Sequence, residues 1–310
     1  MIDQLLTEAV IIGILASGIR LATPYLYASI GETLSQKSGV FNLGVEGQML
    51  LGAFTAFFVS FRTGNLFFGL FAAILSGLLM GLAMAVVSIE LKAKQGISGI
   101  GFYLFGLGLS DLLFQKFLGT VETVDGFRPI YIPWLSDLPY LGKIFFNHNI
   151  LVYGAYFMVF IAWFVLNKTT LGLKIKAVGD NPEAADSLGV SVRRIRYITV
   201  IIGGMMSGLA GASLSIALLN VFQQNMTSGL GFIAVALVYF GGWRPVAVMG
   251  GALLFSMVNS LQLWVQVLNI PIPADFAVMM PYVLTIIVLL LTVKRVRPPA
   301  ALNKPFERGH

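Results

Sequence analysis

The chain contains no cysteine, so disulfides, thiolate zinc sites and thiol nucleophiles are excluded from the outset. Histidine is almost as scarce. Only His148 and His310 are present, and neither has a partner at a metal-binding spacing. Charge is scarce too: Asp, Glu, Lys and Arg make up 11% of the 310 residues, against roughly 25% in an average soluble domain. So few charges cannot cover the surface of a water-soluble protein of this length. Apolar residues stand in their place, at 57% of the chain. They fall in repeated runs, each near the roughly 20 residues a helix needs to cross hydrocarbon. A lone signal peptide would leave a polar mature chain behind it, and none follows. These features predict an all-α integral membrane protein: one domain over 1–310, built as a polytopic bundle of about nine transmembrane helices, within a range of roughly 8–10.

The apolar runs cover about 9–30, 40–60, 66–91, 96–119, 150–167, 196–220, 229–241, 246–266 and 276–293. The seventh, 229–241, is short for a full span. Two long mixed segments separate the others, 120–149 and 168–195. When the loops alternate across nine spans, fifteen Lys and Arg residues fall on one side and four on the other. The richer side holds Lys37, Lys92, Lys94, Lys168, Lys174, Lys176, Arg193, Arg194, Arg196, Arg244 and the five of the basic tail 294–310; the poorer side holds Arg62, Lys116, Arg128 and Lys143. Lys and Arg favour the cytoplasmic face. This places the C-terminus and 168–195 inside, and the N-terminus and 120–149 outside. The net charge of +6 is thereby explained by topology rather than by nucleic acid. Trp134, Trp163, Trp243 and Trp264 fall near span ends or in loops, as interfacial anchors do. Small residues four apart, Gly77 and Gly81, Gly204 and Gly208, Ser207 and Gly211, predict close helix packing.

The segment Gly172–Gly189 carries its own start and stop signals. Asn181 is a good N-cap, Pro182 suits the first helical position, Glu183 sits at the positive end of the dipole, and Gly189 can close the helix. About two turns of helix result, too short to be stable alone in water. Ala184, Ala185 and Leu188 offer a small apolar face for docking. The residues themselves leave open whether this face packs on its own protein or on a partner.

Three motifs, spread over about 215 residues, carry a resemblance. The first runs from Gly31-Glu32 to Asn42-Leu43-Gly44-Val45-Glu46-Gly47, and the second is Ala177-Val-Gly-Asp-Asn-Pro-Glu-Ala-Ala-Asp-Ser-Leu-Gly-Val190 with the glycine-rich stretch 203–211. The third runs from Gly231 to Trp243-Arg244-Pro245. In these motifs the chain resembles the permease subunits of the ribose, nucleoside and branched-chain amino acid group of ABC importers, and looks most similar to the nucleoside and simple-sugar types. The resemblance implies that 181–189 is a cytoplasmic coupling helix, with Asn181, Pro182, Glu183, Ala184, Ala185, Asp186, Leu188 and Gly189 meeting an ATPase subunit. It also implies a second permease (a copy or a paralogue), an extracytoplasmic binding protein, a place in the bacterial plasma (inner) membrane, and ATP with Mg on the partner subunits rather than any cofactor here. No G-x-x-x-x-G-K-[ST] loop is present to cradle ATP in this chain. The implied cargo is a nucleoside first and a sugar second, moved by alternating access. One departure bears on cargo. Nucleoside-type relatives carry an asparagine a few residues after a Ser-Gly pair in the fourth span; here Ser98-Gly99 is followed by Tyr103.

Polar groups inside hydrocarbon are costly, roughly 2.5–3.5 kcal/mol on insertion scales for a charge, and each needs a reason. Arg20, Glu32, Glu46 and Asp111 are the charged candidates. Asn42 and Glu46 are four apart and would share a face of a helix. They would line the path or brace a broken helix, or the acids would be braced internally against Arg20. For a neutral cargo the candidates are Ser98, Tyr103, Asn220, Gln223, Gln224, Asn225 and Asn259. The Gln223–Asn225 group reads equally as a solvated loop. Two rivals remain. An ion-coupled transporter would need an acid relay, for which Asp111 and Glu46 are the only candidates. An intramembrane serine protease would need a histidine beside Ser98, and no histidine lies in a predicted span.

Overall fold

The computed structural model describes residues 7–268, 273–292 and 297–307. Asp3, Lys294, Arg295, Arg308 and His310 lie outside the described residues. Among the described residues twelve α-helical segments follow one another: α1 Glu8–Lys37, α2 Val45–Thr63, α3 Leu66–Ala85, α4 Gln95–Phe117, α5 Leu141–Phe145, α6 Ile150–Lys168, α7 Thr170–Asp180, α8 Pro182–Ser187, α9 Val192–Ser213, α10 Leu230–Phe240, α11 Pro245–Val267 and α12 Ala274–Thr292. A π-helical turn extends α3 to Glu90 and another extends α9 to Leu218. No β-strand occurs among the described residues; Thr123 and Val221 form an isolated bridge.

Each expected apolar run coincides with a helix. By length and composition, however, six of the described helices suffice to cross a membrane: α1, α4, α6, α11, and α3 and α9 each with its π turn. The expected count of about nine spans is not reached on that measure. One reason is local: α10 has 11 residues. Another is the polar start of α2, where Glu46 and Gln48 are buried.

Glycine decides how the bundle packs. Helix α9 lies at the centre, against α1, α2 and α3. Two of the three expected four-residue pairs, Gly77–Gly81 and Gly204–Gly208, meet each other there, while Gly211 packs on the α2 backbone at Met49 and Ala53. A methyl group at Gly77 would overlap the Gly204 carbonyl, one at Gly204 would come within 2.7 Å of the Gly81 Cα, and one at Gly208 would come within 3.2 Å of the Gly77 Cα. Gly52 packs on Gly208, and Gly106 of α4 packs on the Gly47 backbone of α2. In lipid, where apolar side chains gain little from leaving their surroundings, such close backbone approach is a main source of helix association. Large apolar side chains face outward instead. Phe67, Phe71, Leu75, Leu79 and Leu82 form one exposed stripe on α3, and Phe157, Phe160 and Phe164 another on α6.

Trp134 is exposed, as an interfacial anchor would be, but Trp243 is not. It is 1% exposed and belongs to the interior. The long segment after α4 is ordered. Val124 N–H donates to the Asn220 carbonyl (3.0 Å) and Phe127 N–H to that of Ile216 (3.2 Å), tying it to the end of α9.

Candidate functional site

The first and third sequence motifs meet in one buried junction. The chain breaks between α1 and α2 over 38–44, where Gly39 adopts φ +93°, a left-handed conformation that favours glycine. Ser35 Oγ donates to the Val40 carbonyl (3.0 Å) and Gly44 N–H donates to Asn42 Oδ1 (2.8 Å), an Asx turn that leads into α2. Asn42 is therefore in the break and not on α2, so it does not share a helix face with Glu46 as the spacing had suggested.

Glu46 is 1% exposed. Its Oε1 accepts from Thr227 Oγ1 (2.5 Å) and Gly229 N–H (2.7 Å), and its Oε2 from Gly231 N–H (2.6 Å). One carboxylate thus stands in the first turn of α2 and caps the start of α10. Both helices have the positive end of their dipole there, where negative charge is favoured. A Cβ at Gly231 would lie 2.6 Å from the Glu46 Cα, so the glycine is what allows α10 to come so close. Glu32 Oε1 accepts from Gln36 Nε2 (3.0 Å) and Asn42 N–H (3.0 Å), and Trp243 Nε1–H donates to Gln36 Oε1 (2.7 Å). Asn42 Nδ2 donates to Gln48 Oε1 (3.3 Å), and Phe41 N–H to Gln95 Oε1 (2.8 Å). The acids are braced internally, but not by Arg20: that side chain is exposed. Gln36, Gln48, Gln95, Thr227 and Trp243 complete the network. Sequence reasoning assigned none of them to it, although Gln36 stands one helical turn from Glu32.

The candidate path residues divide. Tyr103 joins the junction: Gly47 packs on its backbone, and its ring meets Phe232 edge-on at 5.2 Å between centroids. Ser98 turns back to its own helix, Oγ donating to the Lys94 carbonyl at 3.1 Å. Asn220 sits at the end of α9 beside Val124, Asn259 lies half-buried on α11, and Gln223, Gln224 and Asn225 are exposed in the loop before α10. Asp111 is half-buried on α4. The nine-tenths-buried polar groups that converge include Glu32, Gln36, Asn42, Glu46, Gln48, Gln95 and Thr227.

The second motif forms a separate site. Thr169 caps α7, its Oγ1 accepting from Gly172 N–H (3.2 Å), and Asn181 caps α8, its Oδ1 accepting from Ala184 N–H (3.0 Å). Pro182 opens α8, and Gly189 ends the turn at φ +82°. The expected apolar face splits in two. Ala185 is 3% exposed and packs with Leu34, Leu166, Ile175, Val178, Val192 and Ile195. Leu188 is 84% exposed, and Glu183 and Ala184 are exposed beside it. Ala185 is an anchor into its own protein, one position out of phase with the exposed pair Ala184 and Leu188. Asp186 is half-buried. Among the described residues no cluster of His, Asp and Glu could hold a metal ion.

Residues 1–289 match the family model described as the permease component of branched-chain amino acid transport systems. The guanosine ABC transporter permease protein NupQ of Bacillus subtilis is 37% identical over 308 residues, covering 93% of this chain and 94% of its own length. The nucleoside ABC transporter permease protein NupC of Lactococcus lactis subsp. cremoris is 35% identical, covering 93% and 94%. TsgC13 of Haloferax volcanii, whose name gives glucose provisionally, is 41% identical, covering 83% and 79%. No solved structure matches.

Proposed function

The chain belongs to the family of permease components of branched-chain amino acid transport systems, and we propose that it is the membrane subunit through which a binding-protein-dependent ABC importer moves a nucleoside. Full-length similarity to guanosine and nucleoside permeases supports nucleosides as first choice. A simple sugar is the second, supported by TsgC13 and by 26% identity to the galactofuranose permease YtfT of Escherichia coli. Tyr103, half-buried beside Phe232, suits a ring-bearing cargo.

The observation that carries the coupling part of this reading is the split face of α8. A helix too short to stand alone is anchored by Ala185 and presents Glu183, Ala184 and Leu188 outward. An ATPase subunit on the cytoplasmic side is the partner that would cover them, hydrolysing ATP with Mg on its own residues. A second permease and an extracytoplasmic binding protein complete the assembly. Nucleotide-driven closure of the ATPases would push on α8 and rock the bundle between outward and inward access. The permease itself would be no enzyme. An ion-coupled carrier is not favoured, because Glu46 is already engaged by Thr227, Gly229 and Gly231 and is poorly placed to relay protons.

The test is a Glu183→Arg permease reconstituted with its ATPases and binding protein. The coupling role predicts ATP hydrolysis without matching uptake, in a protein that folds as the parent does. Unchanged uptake per ATP would contradict it.

A further inference from the structure

Residues 297–307, which as sequence read only as a basic tail, fold back onto the loop face of the bundle and are bonded there. Ala301 N–H donates to the Gly179 carbonyl in the last turn of α7 (2.9 Å). Two residues on, Asn303 N–H donates to the carbonyl of Gly39 in the α1–α2 break (3.1 Å). Arg196 of α9, 2% exposed, donates through Nη1 to the Lys304 carbonyl (3.1 Å) and through Nε to the Ser38 carbonyl (3.2 Å). Phe306 packs on the cluster that holds Ala185. Lys92 Nζ meets Glu307 at 2.8 Å, reaching the end of α3.

These bonds join the two sites. Gly179 lies two residues before the cap of α8, and Gly39 three residues before Asn42, whose N–H is held by Glu32. Both are gripped by backbone N–H groups two residues apart on one short segment. A displacement of α7 and α8 therefore reaches the break through a piece of chain with little slack. The Arg196 guanidinium holds both sides of that connection at once, with a forked donor set that a lysine ammonium does not reproduce.

We propose that residues 297–307 are a coupling strap, and that Arg196 is the positioning residue that holds it, so that motion at α8 is passed to the α1–α2 break and the buried junction. The proposal rests on the reading that α8 meets the ATPase. Coupling of this kind needs a direct measurement, not spatial intermediacy alone.

The experiment uses the reconstituted importer with the parent chain, a chain ending at Arg297, Arg196→Lys and Glu183→Arg. It reads substrate imported per ATP hydrolysed. It also reads thiol labelling of a Phe41→Cys substitution, with and without nucleotide, in this otherwise cysteine-free chain. Loss of the strap should leave ATP hydrolysis within about twofold while import per ATP falls about tenfold, within the range expected for a coupling residue. The nucleotide-dependent change in labelling at position 41 should vanish, which a merely structural role would not produce in a chain that still assembles. If the shortened chain fails to assemble, Arg196→Lys carries the test alone. Unchanged import per ATP and unchanged labelling would overturn the strap. If Glu183→Arg uncouples and the strap variants do not, the strap falls and the α8 reading stands. If none uncouples, both fall.

Discussion

The buried junction and the α7–α8 loop both carry sequence motifs, but they use their residues in opposite ways. At the junction every informative side chain is spent inward. Glu46 holds the start of α10, Glu32 holds the break, and Trp243 reaches Gln36 across more than two hundred positions. At α8 Asn181 and Ala185 are spent inward, while Glu183, Ala184 and Leu188 face outward. The comparison teaches that a shared motif residue can mean two things. Removing one from the junction should cost folding; removing one from the loop should cost communication.

The largest expected effect is at Glu46. Glu46→Ala leaves the buried Thr227 and Gly231 donors without an acceptor, at about 1–3 kcal/mol each, and the half-buried Gly229 N–H without one as well. Detergent-solubilised protein should lose its monodisperse peak or melt far below the parent, and a variant with parental melting would break the comparison. Next is Gly204→Val, whose side chain would enter the Gly77 and Gly81 backbone. Overpacking of this kind costs typically about 1–3 kcal/mol, and melting should fall accordingly. Asn181→Ala should cost about 1 kcal/mol in the local stability of α8. Its global melting should hardly move while amide exchange at Ala184 and Ala185 rises.

The smallest effect concerns His148, buried outside the spans with Nε2 2.7 Å from the Ile144 carbonyl. Burial, opposed in part by that bond, pulls its pKa below the ordinary value. The unfolded chain therefore takes up a proton first as pH falls through about 6.5. Stability is present above that pH, is lost below it, and levels off once the folded imidazole also protonates. Melting followed between neutral and mildly acidic pH should show a shallow fall that His148→Gln removes.

Local features were legible in the sequence. Asn181, Pro182 and Gly189 announce α8 because caps and turn residues act within a few positions. Gly77, Gly81, Gly204 and Gly208 announce a tight crossing because only backbone contact needs such spacing, although which pair meets which is not written in either segment. What stayed hidden is long-range. Glu46 finds its donors more than 180 positions away, and Gly39 is gripped from Asn303. The phase of a two-turn helix was also out of reach: Ala185 and Leu188 are three apart, close enough to share a face, yet one is an anchor and the other is bare. Trp243 looked interfacial because it falls near a run's end, but its indole N–H had a buried partner in Gln36.

One measurement tests the central claim most directly: uptake of labelled guanosine into proteoliposomes holding this permease with its co-purified ATPases and an added binding protein. The account predicts accumulation that requires ATP and binding protein and persists without any ion gradient. Accumulation by the permease alone, driven by a proton or sodium gradient and indifferent to ATP, would contradict it.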